Sequence, residues 1–297
     1  MVIKDKYIDP FTDFGFKHIF GKEKNKRFLI SFLNDLLEIE DKIVDIEYRN
    51  LEKLGLSILD RKAIFDVYCT DTRGNNFIVE LQRSRQKYFK DRSIYYTSFP
   101  IQEQSKKGSW DYRLTPIYFV GILEFTFDDI REKESQKNEK YLTKVQMFDC
   151  DKKEVFYDKL TYYYLEMPKF RKTQKELSSH LDFWLYYLNN LANTIEIPTI
   201  LREDKVIQEA FEVAEFLALD KDAQFSYQQD LKARWDNQAC LDFAKEQGME
   251  KGMEQGIEKG AKEEKTKIAK SLLLAKVDIN TIINSTGLTV EEIENLK

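Results

Sequence analysis

The run Ala63-Ile-Phe-Asp-Val-Tyr-Cys-Thr70, the cluster Asp71-Thr-Arg-Gly-Asn75, and the run Phe77-Ile-Val-Glu-Leu-Gln82 decide how this chain is read. Both runs are rich in β-branched and aromatic residues, and the cluster between them is turn chemistry, so together they predict a β-hairpin. Three polar side chains interrupt it: Asp66 in the first strand, and Glu80 and Gln82 in the second. Aspartate is disfavoured inside strands, and a buried carboxylate is costly unless a cation or a hydrogen bond compensates it. A hairpin symmetric about Arg73 sets Asp66 opposite Glu80, with Cβ atoms roughly 4.5–5.5 Å apart. Strand alternation puts Gln82 on the face of Glu80 and sends Val79 and Leu81 the other way, into the core. Two facing carboxylates repel unless a cation lies between them or one takes a proton. Their hard oxygens suit Mg²⁺ or Mn²⁺, ions that commonly use one or two protein carboxylates together with substrate phosphates. Asp66 and Glu80 are therefore candidate metal ligands, with Gln82 beside them. In the competing reading they form ion pairs with Arg61, Lys62 or Arg83 and serve the hairpin alone.

Outward from the hairpin, Phe28, Leu29, Phe32, Leu33, Leu36 and Leu37 recur at helical spacing and predict an amphipathic helix from Lys26 to Glu40. Ile43–Tyr48 reads as a short strand. Arg85–Lys107 has helical period with a break or kink at Pro100, and the apolar run Leu114–Phe127 reads as a strand buried on both faces. The order is helix, three strands, helix, strand. Further along, 141–148 and 154–166 read as strands, and 175–191 and 203–219 as helices. A long polar helix is expected from Phe225 towards Lys276, with Gly248, Gly252, Gly256 and Gly260 at a period of four. Each glycine costs about 1 kcal/mol relative to alanine in a helix, so the region is either frayed or packed closely against another helix. At the end, Asp278 is a candidate cap, Gly287 a turn, and Thr289-Val-Glu-Glu292 a capping box. Two short helices around a glycine turn are a weak helix-turn-helix signal.

Composition bounds the function classes. The chain has 297 residues, 42% apolar and 33% charged, with 11 Gly and 5 Pro, which is a folded and highly charged protein. Cys69, Cys150 and Cys240 lie far apart, which argues against a disulfide framework or a cysteine-built zinc site, and His18 and His180 are too few for a histidine-rich one. No apolar run is long enough to span a bilayer, and the first residues lack a signal-peptide core, so a cytoplasmic location without membrane contact is expected. The net charge of −5 argues at first against nucleic acid. By region, however, residues 1–125 hold 21 basic and 19 acidic side chains, so the excess of acid belongs to the remainder. Arg83, Arg85, Lys87, Lys90, Arg92, Lys106 and Lys107 face only Asp91 and Glu103 within one segment. That patch is either a solvated helix face or a track for phosphates.

The constellation Asp66-x13-Glu80-x-Gln82 is similar to the PD-(D/E)XK nuclease core, in which an Asp is followed by (Asp/Glu)-x-Lys on the adjacent strand. The wider sequence resembles one branch of it, the recombination-promoting nuclease (Rpn) family, also described as PD-(D/E)XK nuclease family transposases. The matching stretches are Asp9-Pro-Phe-Thr-Asp-Phe-Gly-Phe-Lys-His-Ile-Phe20, Ala63–Tyr68, Phe77–Arg83 and Asp91-Arg-Ser-Ile-Tyr-Tyr96, together with the glycine-repeat tail. The resemblance implies an α/β (α+β) fold with a restriction-endonuclease-like αβββαβ core and a mixed central sheet. That core is expected over residues 1–130, an α+β extension packed on it over 131–220, and a charged helical tail over 221–297. It implies a metal-dependent DNA endonuclease linked to recombination or mobile elements, with Asp66 and Glu80 on Mg²⁺ (or Mn²⁺) and Gln82 positioning water. DNA would be met by Lys17, Arg83, Arg85 and Arg92. Apart from the resemblance, the C-terminal helix is a candidate oligomerisation element that would form a homo-oligomer, compatible with either function. Gln82 departs from the pattern, because a neutral amide cannot supply the charge of the usual Lys; Lys17, Arg83 and Arg92 are the candidates to supply it. Asp13 and Lys17 of the N-terminal motif either approach the same site or are a capping Asp and a surface Lys. That departure keeps a second reading open, a non-catalytic nucleic-acid-binding or assembly protein with a degenerate site.

Overall fold

A computed structural model of the chain describes residues 6–49, 52–53, 63–105, 111–127 and 139–296. Arg61, Lys62, Lys106 and Lys107, which enter the sequence reading, lie outside the described residues. The chain divides into two compact units, Met1–Leu231 and Lys232–Lys297.

In the first unit, helix α1 (Asp13–Phe20) starts where the Thr12 hydroxyl accepts the Gly15 N–H. Helix α2 (Lys26–Leu36) buries the stripe Phe28, Leu29, Phe32, Leu33 and Leu36. The central sheet is built from β1 (Ile46–Tyr48), β4 (Val67–Asp71), β5 (Asn76–Gln82), β6 (Ile117–Leu123), β7 (Leu142–Asp149) and β8 (Glu154–Glu166), in the order β1-β4-β5-β6-β8-β7. A separate short pair joins β2 (Glu52–Lys53) to β3 (Ala63–Ile64). Strands β1, β4 and β5 are antiparallel; β5, β6 and β8 are parallel; and β7 returns antiparallel to β8. A parallel β5–β6 pair requires a crossover, and helix α3 (Phe89–Glu103) provides it. The sheet is thus mixed and the fold is α/β, as the resemblance implied.

Both faces of the sheet are covered. On one, Val67, Cys69, Val79, Val120 and Ile122 pack with α1, α2, helix α4 (His180–Asn190), the short α5 (Thr199–Arg202) and helix α6 (Lys205–Val213), around Trp184 and its ring contacts with Phe20 and Phe32. On the other, Phe65, Tyr68, Ile78 and Phe119 pack with Phe89 and Phe99 of α3. The 131–220 stretch, expected as an extension packed on the core, supplies β7 and β8 to the same sheet and α4 and α6 to the same apolar cluster. Residues 1–231 are accordingly one compact unit.

Several local departures from the expected elements are found, most of them with an identifiable cause. The expected strand from Ala63 to Thr70 breaks at Phe65–Asp66, where β3 leaves to pair with β2 and β4 begins at Val67. Phe65 and Tyr68 consequently fall on the same side of the sheet, which strict alternation forbids. Helix α3 starts at Phe89 and not at Arg85, and Pro100 sits in its last turns. Helix α4 starts at His180 and not at Lys175 because Ser179 and Asp182 form a reciprocal capping box there. Asp204 likewise sets the start of α6 by accepting the Ile207 N–H at 3.0 Å.

Helix α7 (Lys221–Leu274) continues into the second unit, where α8 (Ile279–Thr286) and α9 (Val290–Glu294) follow. Asp278 caps α8, the Thr289–Glu292 capping box opens α9, and Gly287 between them has φ +69°, a left-handed turn that favours glycine. Ala269, Ile282, Leu288 and Ile293 form this unit's own core. Gly248, Gly252, Gly256 and Gly260 lie within α7, and apart from chain neighbours and the helix's own backbone no atom of their unit stands within 4 Å of where a Cβ would be among the described residues. Within that unit the glycine row is helical and open, not frayed and not packed. Among the described residues no helix is long and apolar enough to cross a membrane.

Candidate active site

The pairing Val67↔Val79 continues the hairpin register that sets Asp66 against Glu80. Strand β4 begins only at Val67, so the Leu81 N–H of β5 has no carbonyl from that strand to meet; the Asp66 carboxylate accepts it instead at 2.7 Å. The bend in the chain and the carboxylate position therefore have one cause. Glu80 and Gln82 share the face of Ile78, which is the face beneath α3, and both are buried, Glu80 with 6% of its surface exposed.

Arg92, one turn into α3, reaches down to them. Its Nη2 donates to Glu80 Oε1 at 3.2 Å and to Gln82 Oε1, and its Nη1 donates to Gln86 Oε1 at 2.7 Å. The Gln82 amide nitrogen donates to the Ser84 carbonyl at 2.9 Å, so both ends of that side chain are held. Glu80 Oε2 is buried and has no hydrogen-bond partner among the described residues. Burial raises the pKa of both carboxylates. For Glu80 the neighbouring Asp66 charge raises it further, while Arg92, the Asp66 backbone N–H and Lys17 pull it back. For Asp66 the Leu81 N–H is the chief opposing influence, followed by the charge of Lys17.

The basic residues expected near the site take different positions. Lys17 of α1 is paired with Asp13 at 2.7 Å, and the charges of both are felt at Asp66, so the N-terminal motif does approach the carboxylates. Arg83 binds Glu124 at 2.9 Å, tying the end of β5 to the end of β6. Arg85 donates to the Phe127 carbonyl at 3.2 Å. Of the cations named in the competing ion-pair reading, Arg83 goes to Glu124 and Arg61 and Lys62 lie outside the described residues, while Arg92, which that reading did not name, comes to Glu80. Tyr96 joins the site without having been expected from sequence. Its hydroxyl pKa is raised by burial and then by the Glu80 charge, and the Arg92 guanidinium lies 5.5 Å from its ring centre. The spacing of Arg92 and Tyr96, four residues apart on a helix, is the signal that could have found it.

The donor set fits a hard divalent cation. Two carboxylates of raised pKa adjoin an amide oxygen, and the orphaned Glu80 Oε2 is a buried acceptor that lacks its positive partner. Among the described residues no group of three or more His, Cys, Asp or Glu side chains is arranged to hold a metal ion, so such an ion would rest on two protein carboxylates.

A mixed sheet between helices, with one carboxylate on a strand and its partner at the start of the adjoining one, is consistent with a PD-(D/E)XK-like fold. Residues 10–244 match the family model described as PD-(D/E)XK nuclease family transposase, and residues 262–297 match that of the Rpn/YhgA-like nuclease family, C-terminal HTH domain. The chain belongs to the PD-(D/E)XK nuclease family transposases. The second match covers α8, the Gly287 turn and α9, where the helix-turn-helix signal in the sequence is faint. No curated protein and no solved structure gives a match.

Proposed function

We propose that this chain is a metal-dependent DNA endonuclease that hydrolyses phosphodiester bonds, in the setting of recombination or mobile elements. The observation that carries the reading is Glu80 Oε2, a buried carboxylate oxygen without a partner, adjoining Asp66 at the foot of α3. Asp66 and Glu80 would hold the ion, with the Gln82 amide oxygen within the same set. Mg²⁺ or Mn²⁺ held there would supply neutralisation of phosphate charge and acidification of the attacking water. Arg92 supplies, from α3, the positive charge that Gln82 cannot, and Lys17 adds to it from α1. Gln82, fixed by Arg92 and Ser84, orients rather than ionises. Arg85 serves the DNA backbone from the exposed start of the basic segment, and Arg83 joins it to the extent that Glu124 releases it. The C-terminal HTH unit provides a second contact with DNA, and α7 beyond Phe243 serves self-association; truncation before Phe243 followed by a native mass measurement checks the latter.

The test is cleavage of supercoiled, linear duplex, branched and single-stranded DNA over a Mg²⁺ and Mn²⁺ titration, with Asp66→Ala and Glu80→Ala in parallel. The wild type cuts at least one form and both variants lose cleavage while remaining folded. One observation favours a second reading: Arg92 already occupies oxygens of both Glu80 and Gln82. A site closed in this way gives a non-catalytic DNA-binding protein, recognised by salt-sensitive binding with no cleavage above the Asp66→Ala control.

A further inference from the structure

Helix α3 carries more than Arg92. Tyr88, the residue that caps the start of α3, and Arg92 and Tyr95 within it stand at i, i+4 and i+7, on one side of the helix. That side adjoins the one that packs on the sheet through Phe89, Ser93 and Thr97, and Tyr95 sets its ring edge-on to Phe99 at 5.1 Å. Tyr88 is 64% exposed and Tyr95 43%, so two large rings face solvent within two turns. The two rings and Arg92, with Gln86, Lys87 and Asp91, line an open groove of about 550 Å³. Lys87 Nζ lies 5.2 Å from the centre of the Tyr88 ring. Arg92 belongs to both places: it lines the groove and its guanidinium contacts Glu80 and Gln82. Arg92 thus stands between the groove and the buried carboxylate of Glu80.

Packing accounts for part of Tyr95, whose ring meets Phe99, but not for the ring surface that Tyr88 and Tyr95 both leave in solvent beside cations. Such rings and cations are the chemistry that holds unpaired bases, with π faces for stacking and positive charges for the phosphates between them. A duplex does not offer that chemistry a partner, since both faces of each base are already covered by neighbours. The recessed position of Glu80 points the same way, as a flexible single strand can follow the groove beneath the helix face more readily than a rigid duplex.

We propose that the groove lined by Lys87, Tyr88, Arg92 and Tyr95 holds single-stranded DNA, with bases stacked on the two tyrosines and the backbone carried past Arg92 towards Glu80. The inference rests on the nuclease reading for its consequence, that strands unpaired at the scissile bond are the preferred substrates, but binding is separable from cutting.

The experiment uses the full chain in EDTA, where no cleavage occurs, and a short fluorescein-labelled oligonucleotide followed by anisotropy, presented single-stranded, as its duplex, and as the matching RNA. Tyr88→Ala/Tyr95→Ala weakens binding of the single strand about tenfold or more and that of the duplex less than about twofold, whereas Tyr88→Phe/Tyr95→Phe binds both as the wild type does. Circular dichroism establishes that the variants are folded. Equal losses for both DNA forms, no loss for the single strand, or tighter binding of RNA overturns the proposal. Cleavage in Mg²⁺ is scored separately. Stacking-dependent binding without cleavage above the Asp66→Ala control defeats the nuclease reading alone, and cleavage with tyrosine-independent binding defeats the groove alone.

Discussion

The two faces of the central sheet are built on different terms, and strand β5 belongs to both. Val79 points into the larger apolar cluster with α1, α2, α4 and α6, while Glu80, the next residue, points beneath α3 to Asp66, Gln82 and Arg92. The first face gains by burying aliphatic and aromatic area. The second face buries charge and leaves one carboxylate oxygen without a partner, an arrangement that costs stability unless a cation completes it. A fold can carry such a site when the opposite side of the same sheet supplies the stability, so adjacent residues can have opposite roles.

Alanine at two neighbouring positions puts that contrast to its hardest test. Glu80→Ala is expected to lower cleavage roughly a thousandfold or more, the scale of losing a principal electrostatic group, while the melting temperature of the metal-free protein stays level or rises. Val79→Ala should do the reverse, costing about 2 kcal/mol in a urea titration through the cavity it leaves and leaving cleavage per folded molecule nearly unchanged. Matching effects at the two positions would remove the distinction between the faces.

The faces also titrate in opposite directions. His18 of α1 accepts from Lys22 Nζ at 2.8 Å and stacks on Phe14. Burial, then the charges of Lys22 and Lys24, bring its pKa from 6.5 down to about 4. The unfolded chain therefore takes up a proton that the folded chain refuses, and stability falls as pH drops through that interval, by about 2 kcal/mol at pH 5. Urea midpoints from pH 7 to pH 5 measure this, and His18→Gln should flatten the dependence. Asp66 and Glu80 act with the other sign. Their pKa values are raised above 3.8 and 4.5, so the folded state holds protons the unfolded chain has lost, and metal-free stability falls as pH rises beyond the ordinary carboxylate range. Glu80→Gln should reduce that alkaline loss, and added Mg²⁺ should raise the melting temperature more at pH 8 than at pH 5. A wild-type slope of the same sign as that of His18 across the upper range would contradict the description of the carboxylate face.

Much of this is legible in the chain. The hairpin runs and the turn at Asp71–Asn75 set the register that faces Asp66 with Glu80, because the turn length and the alternation of side chains leave one solution. The bend at Asp66 is not legible, since a carboxylate replacing a strand carbonyl is a tertiary event that composition does not encode. Helical period alone overruns the starts at His180 and Lys205, because the apolar spacing extends past them, although Ser179 and Asp204 stand there as caps. Among the basic residues, charge counting does not tell Arg92, turned down onto Glu80 and Gln82, from Arg83, turned aside to Glu124. Both lie in the same positive run, and only the packing of α3 over β5 separates them.

The smallest expected effect separates two cations of that run, Arg83 and Lys87, which charge counting treats alike. Arg83 is engaged with Glu124 at 2.9 Å, with each side chain about a third exposed or less, so Arg83→Gln should cost about 0.5–1 kcal/mol of stability. Releasing that pair to DNA would have to repay the same amount and draw the cation away from Glu124, whose pKa burial already raises. The contribution of Arg83 to DNA binding should therefore be slight. Lys87 is exposed on the approach to α3, with its Nζ against the open Tyr88 ring, where a phosphate can be met at little cost. Removing one phosphate interaction lowers the slope of log K against log salt by about 0.7–0.9. Lys87→Gln should show a drop of that size with unchanged stability, and Arg83→Gln a clearly smaller one with a lowered urea midpoint. The opposite pattern would mean that the Glu124 pair opens on DNA, and that the rim of the carboxylate face rearranges when substrate arrives.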